Sequence, residues 1–452
     1  AGGALAMATL VFEALAAIDG APGWAAAGRA GAVATVAVFA PGAGPARRLF
    51  VWIALALAAA SLASPEPGAR LVRALDAAGF IVAFFVAQAC LRWAAAGSRT
   101  VSEAGDFVAR QPPGRRYLAL TLGGQIYGLL IGYGAVTLLG GMAAESAKEE
   151  PDPERRARRT RRMLLAVQRG FVSTLPWSPF AFAIAVTTEL VPGARWSAVF
   201  APCLASGLIL AGGGYLLDRA TRPRATPPVA APSAREWIAR LAPLLVLLSA
   251  LLAGVSAWSG LGGLGAVQAV IATCPAIAAV WAFAQAPRAL PRRAADYARR
   301  DLPGYSGEIV LLAMAGAIGV LGGELAAPVL AAAGPGLSAL EPWALHLALL
   351  WTLPLAGQIG MNPILAVGLL APNLPDPGMA GASPTSFVVA ITAGWALSGA
   401  TSPFTASTIM LGRVGGAPAR RVGLGLRWNG GYALACGAAL SLWVLLVMRL
   451  AA

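Results

Sequence analysis

Uncharged apolar runs, rather than an alternation of apolar and polar positions, set the pattern of this chain. They predict helical spans over 4–18, 26–41, 48–64, 71–92, 163–190, 197–217, 237–257, 264–286, 303–333, 385–411 and 422–449. Runs such as 241–258, 198–217 and 432–448 are long enough, or nearly so, for the roughly 20 apolar residues that cross a bilayer as a helix, while 4–18 and 26–41 are short. Two further apolar segments, 117–145 and 342–371, differ in having polar, glycine-containing centres: Gly123-Gly124-Gln125 in one and Gly357-Gln358-Ile359-Gly360-Met361-Asn362-Pro363 in the other. A straight spanning helix gains nothing from such a centre, whereas a hairpin that enters and leaves on one side needs it. The predicted fold is an all-α polytopic membrane protein with about 11 transmembrane helices and two re-entrant hairpins.

Several of these polar interruptions occur twice. Gly124-Gln125-Ile126 recurs as Gly357-Gln358-Ile359, Ser178-Pro179-Phe180 as Ser402-Pro403-Phe404, and Gly79-Phe80-Ile81-Val82 is echoed by Gly307-Glu308-Ile309-Val310. The offsets are 233, 224 and 228 residues, close to half of the 452-residue chain. Three matches in one order, at nearly one spacing, point to an internal duplication. The organisation that follows is an extra amino-terminal helix over 1–25, a first repeat over 26–217 with its hairpin at 117–145, a Pro- and Arg-rich linker over 218–236, and a second repeat over 237–452 with its hairpin at 342–371.

Composition agrees with the class. Only 12% of residues are charged and mean hydropathy is +0.70, where a soluble domain carries about 25% charge. Cys90, Cys203, Cys274 and Cys436 lie in apolar runs without metal spacing and read as small hydrophobes. Ala1-Gly2-Gly3-Ala4 lacks a basic stretch, so no cleaved signal peptide is expected. The net charge of +14 does not indicate nucleic acid, because the arginines cluster between spans with no interleaved aromatic residues. With both hairpins treated as re-entrant, the loops at 42–48, 92–116, 146–162, 218–235, 287–301 and 412–421 share one side and hold 26 Lys and Arg. The opposite side keeps only Arg29, Arg70, Arg73 and Arg195. By the positive-inside rule the rich side is cytoplasmic and in contact with anionic lipid. The two halves then have inverted topology, with the amino end inside and the carboxyl end outside, in a bacterial inner membrane.

Candidate chemistry concentrates where spans 163–190 and 385–411 are interrupted. Pro176 and Pro179 remove two backbone donors from the first, within Ser173-Thr174-Leu175-Pro176-Trp177-Ser178-Pro179-Phe180. The second has Ser398-Gly399-Ala400-Thr401-Ser402-Pro403-Phe404-Thr405, followed by Ser407 and Thr408. Helices broken at membrane depth expose carbonyls and amides, tolerated only where protein or a water-filled cavity satisfies them. Free carbonyls and hydroxyls are hard oxygens suited to sodium, and half-helix ends and hydroxyl donors suit an anion. The expected substrate-binding residues are Gln125, Ser178, Gln358, Asn362, Thr401, Ser402 and Thr405. The expected ion-binding positions are Gly124, Thr174, Pro176, Gly357, Ser398 and Ala400. Asp76, Glu189, Glu308 and Glu324 lie near span ends, Arg169 about two turns into its span with its head free to snorkel, and His346 is expected as a hydrogen-bonded packing residue. No nucleotide loop, metal spacing or nucleophile–base pair is present, so no enzyme activity and no cofactor other than a sodium ion is expected.

Two inverted repeats with two hairpins and two broken helices make the chain resemble the ion transporter superfamily. Within it the chain is similar to the divalent anion:sodium symporter family, the dicarboxylate and citrate carriers, as a remote member. The stretch from Gly307 to Gly416, through Ala400-Thr401-Ser402-Pro403-Phe404, carries most of the likeness. The resemblance implies a homodimer that carries substrate and sodium at the hairpin tips and breaks, by an elevator movement of a transport domain against a scaffold. The chain departs from the dicarboxylate branch in having Gly-Gln-Ile at both tips where that branch has Ser-Asn-Thr. The expected function is secondary active transport of a small carboxylate or other oxyanion, coupled to sodium or protons. Alternatives are a cation/proton antiporter, which needs a carboxylate such as Glu189 or Glu308 near the breaks, and a flippase of a lipid-linked anion.

Overall fold

In lipid a backbone amide has no partner but its own helix, and this chain is helical almost throughout. The computed structural model describes residues 1–112, 114–221, 232–261, 263–333, 336–376 and 383–450, and contains no strand among them. The Arg222–Pro228 part of the expected linker lies outside the described residues. The first helices are α1 (Gly2–Asp19), α2 (Pro22–Phe39), α3 (Pro45–Ser61), α4 (Pro67–Ala96) and α5 (Arg99–Ala109). Next come α6 (Arg116–Ile131), α7 (Gly134–Ala147), α8 (Pro153–Val172), α9 (Phe182–Leu190) and α10 (Trp196–Ala220). They are followed by α11 (Ala234–Leu261), α12 (Ala266–Gln285), α13 (Leu290–Asp296), α14 (Ser306–Ala333) and α15 (Pro342–Gln358). The last are α16 (Pro363–Leu370), α17 (Pro384–Thr401), α18 (Ala406–Gly415), α19 (Ala419–Leu424) and α20 (Gly431–Leu450).

Nine helical stretches among the described residues are long and apolar enough to cross a membrane, and the chain is an all-α, multi-pass membrane protein. Two of the 11 expected spans are not among the nine. The 48–64 span is the 17-residue α3, and 163–190 is divided into the polar-headed α8 and the nine-residue α9. Apolar side chains such as Val246 and Val280, 67% and 69% exposed, fit helices surrounded by lipid rather than water.

The chain divides into two compact units. The first holds Ala1–Ala94, Leu251–Leu340 and Ile364–Asp376. Within it α1 packs on α2 and α3 on α14, and the short arm after Pro363 seats Gly368 against Gly319 of α14. The carboxylates expected near span ends are paired here: Asp76 with Arg29 at 2.8 Å, Glu308 with Arg47 at 3.5 Å, and Glu324 with Arg70 and Arg73 at 2.9 and 2.7 Å.

The second unit holds Ala95–Ala250, Glu341–Pro363 and Pro377–Ala452. Its α5 lies in what the sequence suggests is a loop; Val101, Ala104 and Val108 recur at helical spacing and pack it on α6 and α7. The first hairpin turns at Gly132, not at Gly123-Gly124-Gln125. Gly132 has φ 57° and ψ −131°, a conformation open to glycine alone, and Gly124 and Gln125 lie inside α6. Those α6 residues serve a helix crossing instead: a Cβ on Gly124 would collide with the Val167 carbonyl, and one on Gly170 of α8 with the Thr121 carbonyl. The second half repeats this close approach, with Gly394 of α17 against the Leu350 carbonyl of α15. His346 is a packing residue, its ring nitrogens 2.7 Å from the Pro342 carbonyl and 2.9 Å from Ser386 Oγ.

Candidate functional site

Both breaks lie in the second unit. After Val172 the chain leaves the helix and runs through Ser173–Ala181 to α9. Pro176 and Pro179 sit in this stretch and cannot donate hydrogen bonds, and hydroxyl side chains bond to the backbone around them. Ser173 Oγ donates to the Gly170 carbonyl and Thr174 Oγ1 to the Phe171 carbonyl, both at 2.7 Å. Ser178 Oγ accepts from the Phe180 amide at 3.1 Å. All three hydroxyl residues are buried. Gln125 reaches across from α6, its Nε2 donating to Ser173 Oγ at 3.0 Å.

The second break follows Thr401, whose Oγ1 donates back to the Leu397 carbonyl at 2.7 Å. Ser402 Oγ donates to the Gly357 carbonyl at 2.6 Å and accepts from the Phe404 amide at 3.2 Å. It thereby ties the end of α15 to the break. Thr405 Oγ1 donates to the Ser402 carbonyl at 2.9 Å and lies 2.9 Å from Thr408 Oγ1. Gln358 Nε2 donates within its own helix to Pro354, while its Oε1 is buried without a partner. Ser398, fully buried, likewise has an unpartnered Oγ. Asn362 stands in the turn between α15 and α16. Gln358 and Thr401 share the wall of a cavity of about 270 Å³ whose other lining is chiefly apolar, including Trp351, Leu397 and Leu434.

The two breaks meet. A Cβ on Gly399, just before the second, would lie 3.1 Å from the Leu175 side chain and 3.4 Å from Val172, at the first. A polar link runs beside this contact. Asn429 Nδ2 donates to the Ala400 carbonyl at 3.0 Å and to Gln168 Oε1 at 2.8 Å. Asn429 Oδ1 accepts from Arg169 Nε at 3.2 Å. The same guanidinium donates to the Trp428 carbonyl at 2.8 Å and to Tyr117 OH at 3.3 Å, and its carbon stands 4.5 Å from the Tyr432 ring centre. Trp428 leaves the helical conformation here, with φ −110° and ψ −114°.

Each half of the expected site is thus assembled around its own Gly-Gln segment, and Gly399 and Asn429 join the halves. Arg169 corrects an expectation: it is 5% exposed and held by neutral groups, instead of snorkelling to the surface. Gln168, Tyr117 and Asn429 were not singled out from the sequence. The one available signal was Trp428-Asn429-Gly430-Gly431, a polar interruption inside the apolar run 422–449. Glu308, an antiporter candidate, belongs to the first unit and is paired with Arg47, whereas the breaks belong to the second. At one end of α8, burial and the neighbouring Arg427, Arg158 and Arg421 hold the Arg161 guanidinium below its usual range. These arginines form a basic cluster with no carboxylate in ion-pair reach among the described residues.

No family model matches the chain, and no curated protein matches it in sequence. Solved structures do match in fold. The YdaH transporter of Alcanivorax borkumensis is similar with a TM-score of 0.58 at 17% identity, over 90% of this chain and 100% of that one. MtrF of Neisseria gonorrhoeae, described among a class of antimetabolite efflux pumps, is similar with a TM-score of 0.57 at 13% identity, over 90% of this chain and 95% of that one. The chain has the fold of these two membrane transport proteins.

Proposed function

We propose that this protein is a secondary active transporter of a small anion, carboxylate or other oxyanion, coupled to sodium or protons. The observation that carries the reading is the meeting of two broken helices at Gly399 and Leu175, each bonded to the Gly-Gln segment of its own half. Breaks in two facing helices bring carbonyls, hydroxyls and half-helix ends to one place, the arrangement that secondary transporters use for substrate and ion. Substrate contacts fall to Gln125, Ser178, Gln358, Asn362, Thr401, Ser402 and Thr405. Sodium, where it is the coupling ion, takes oxygens at Thr174, Pro176, Ser398 and Ala400, with Gly124 and Gly357 allowing close approach. The unpartnered Oγ of Ser398 suits such a cation.

In this reading the protein sits in the inner membrane as a homodimer of inverted repeats, amino end cytoplasmic and carboxyl end periplasmic. The unit carrying both breaks is the body that travels. The basic cluster around Arg161 faces anionic lipid heads. The likeness to MtrF, an efflux pump by its description, makes export a direction to assay beside import. The test is a thermal-shift series on purified protein with small anions, each with and without sodium, followed by flux in proteoliposomes. An anion that raises the melting temperature only with sodium supports symport. Stabilisation by lipid phosphates alone supports the flippase alternative. Undiminished flux in both Ser178→Ala and Ser402→Ala would remove the site assignment.

A further inference from the structure

Arg169 is a guanidinium in the last turn of α8, four residues before the first break begins, and 5% exposed. Arginine does not give up its proton in proteins, so the charge is present whatever surrounds it. A buried charge needs a partner of opposite sign or a full set of dipoles. No carboxylate lies in ion-pair reach of Arg169 among the described residues; its partners are an amide, a phenol, a backbone carbonyl and an aromatic face. The carbonyl end of α8 offsets part of the charge, but the site keeps a net positive charge.

A second, independent observation sits next to it. Gln168 is fully buried; its Oε1 accepts from Asn429, while its Nε2 has no hydrogen-bond partner. A buried amide donor left without an acceptor is costly. Arg169 thus offers a cation without a carboxylate partner and Gln168 an unused donor, both bonded to the same Asn429 side chain.

We infer that Gln168, Arg169 and Asn429 form the receptor for an oxyanion, a carboxylate or a group of similar size. The inference rests on the anion-transport reading and names the counter-charge that reading requires. The oxyanion displaces the Trp428 carbonyl and the Tyr117 hydroxyl from the guanidinium fork, which suits two oxygens side by side, and accepts from Gln168 Nε2. Asn429 orients both donors and also holds the Ala400 carbonyl at the second break, so occupancy is felt by both broken helices. One fixed positive charge neutralises one negative charge. A substrate with further anionic groups needs coupling cations for the remainder, and a monoanion needs none for charge balance.

Thermal-shift titrations of the whole protein with succinate, citrate, benzoate and sulfate, at constant sodium, test this. The wild type is expected to be stabilised by at least one of them. Gln168→Glu keeps the oxygen that accepts from Asn429 and replaces the free donor with a negative charge. It is expected to fold, to melt no lower than the wild type without ligand, and to bind the responding anion about 10- to 100-fold more weakly, the loss of a charge-assisted hydrogen bond. Gln168→Leu, which removes the donor and also the oxygen that accepts from Asn429 without adding charge, is expected to weaken binding at least about tenfold and serves if the glutamate variant does not fold. Arg169→Lys keeps the charge without the fork and is expected to retain weakened binding. If the wild type responds and the folded Gln168 variants and Arg169→Lys respond equally, the receptor is wrong while the transport reading stands. If no anion stabilises the wild type, both fall.

Discussion

Asn429 holds together three groups from two parts of the second unit with a single amide: Gln168 and Arg169 of α8, and the Ala400 carbonyl at the second break. Asn429→Ala removes all three hydrogen bonds inside a fully buried site. With a charged donor among the groups left behind, the cost is expected to be about 3 kcal/mol or more, read as a lower melting temperature in detergent. The two break serines are predicted to differ. Ser402 Oγ bonds across to Gly357 of α15, whereas Ser178 Oγ bonds only within its own turn. Ser402→Ala is therefore expected to lower the transport rate by about tenfold, one hydrogen bond's worth, and Ser178→Ala by less; equal effects in a flux assay would count against a role for the cross-link. Ser402 and Gln125 stand out in the sequence because each belongs to a repeated motif. Asn429 does not, because its partners in α8 lie some 260 residues earlier and an asparagine near the head of an apolar run carries no sign of what it will meet. Arg169 was visible but misread, since nothing local says whether a cation near a span end finds solvent or a buried set of dipoles.

Glycine separates what could be read from what could not among the elements. The sequence marks the breaks by proline within a repeated Ser-Pro-Phe; proline alone does not mark one, because Pro202, Pro243, Pro275, Pro328 and Pro354 lie inside continuous helices. The first hairpin was expected to turn at Gly123-Gly124-Gln125, yet α6 continues through these residues and turns at Gly132. A glycine in an apolar run serves a tight helix crossing or a turn equally well, and only the partner helix decides. Here α8 presents Val167 and Gly170 against Gly124, while the true turn sits among Leu130, Ile131 and Tyr133 with no polar flag. The turn makes its own prediction. Gly132→Ala forces a side chain into a conformation with φ 57° and is expected to cost about 1–3 kcal/mol. Gly134→Ala, whose Cβ would meet its nearest neighbour at an ordinary 3.6 Å, is the control and is expected to leave the stability within about 0.5 kcal/mol of wild type. Matched losses in the two variants would mean that backbone conformation is not what the turn depends on.

Across the whole molecule, both breaks, both Gly-Gln segments and the first hairpin belong to one compact unit built from three separate stretches of chain. Apolar runs reveal spans but not how spans sort into units, because every lipid-compatible helix looks alike until its small-residue crossings find their partners. The sequence suggests an internal repeat and with it one body per half, whereas each compact unit draws on both halves. That sorting makes a mechanical statement. If the unit with both breaks travels as one body, tying its parts to one another leaves transport intact. Thr137 of α7 and Met410 of α18 suit the test, with Thr137 Oγ1 3.1 Å from Met410 Sδ, one in the first hairpin and the other beyond the second break. In a background without the four native cysteines, Thr137→Cys with Met410→Cys is expected to cross-link under oxidation and to transport at the rate of its reduced form. Were the hairpin instead to swing as a gate against α18, oxidation would abolish flux and reduction would restore it, and the travelling unit would have to be drawn without α7.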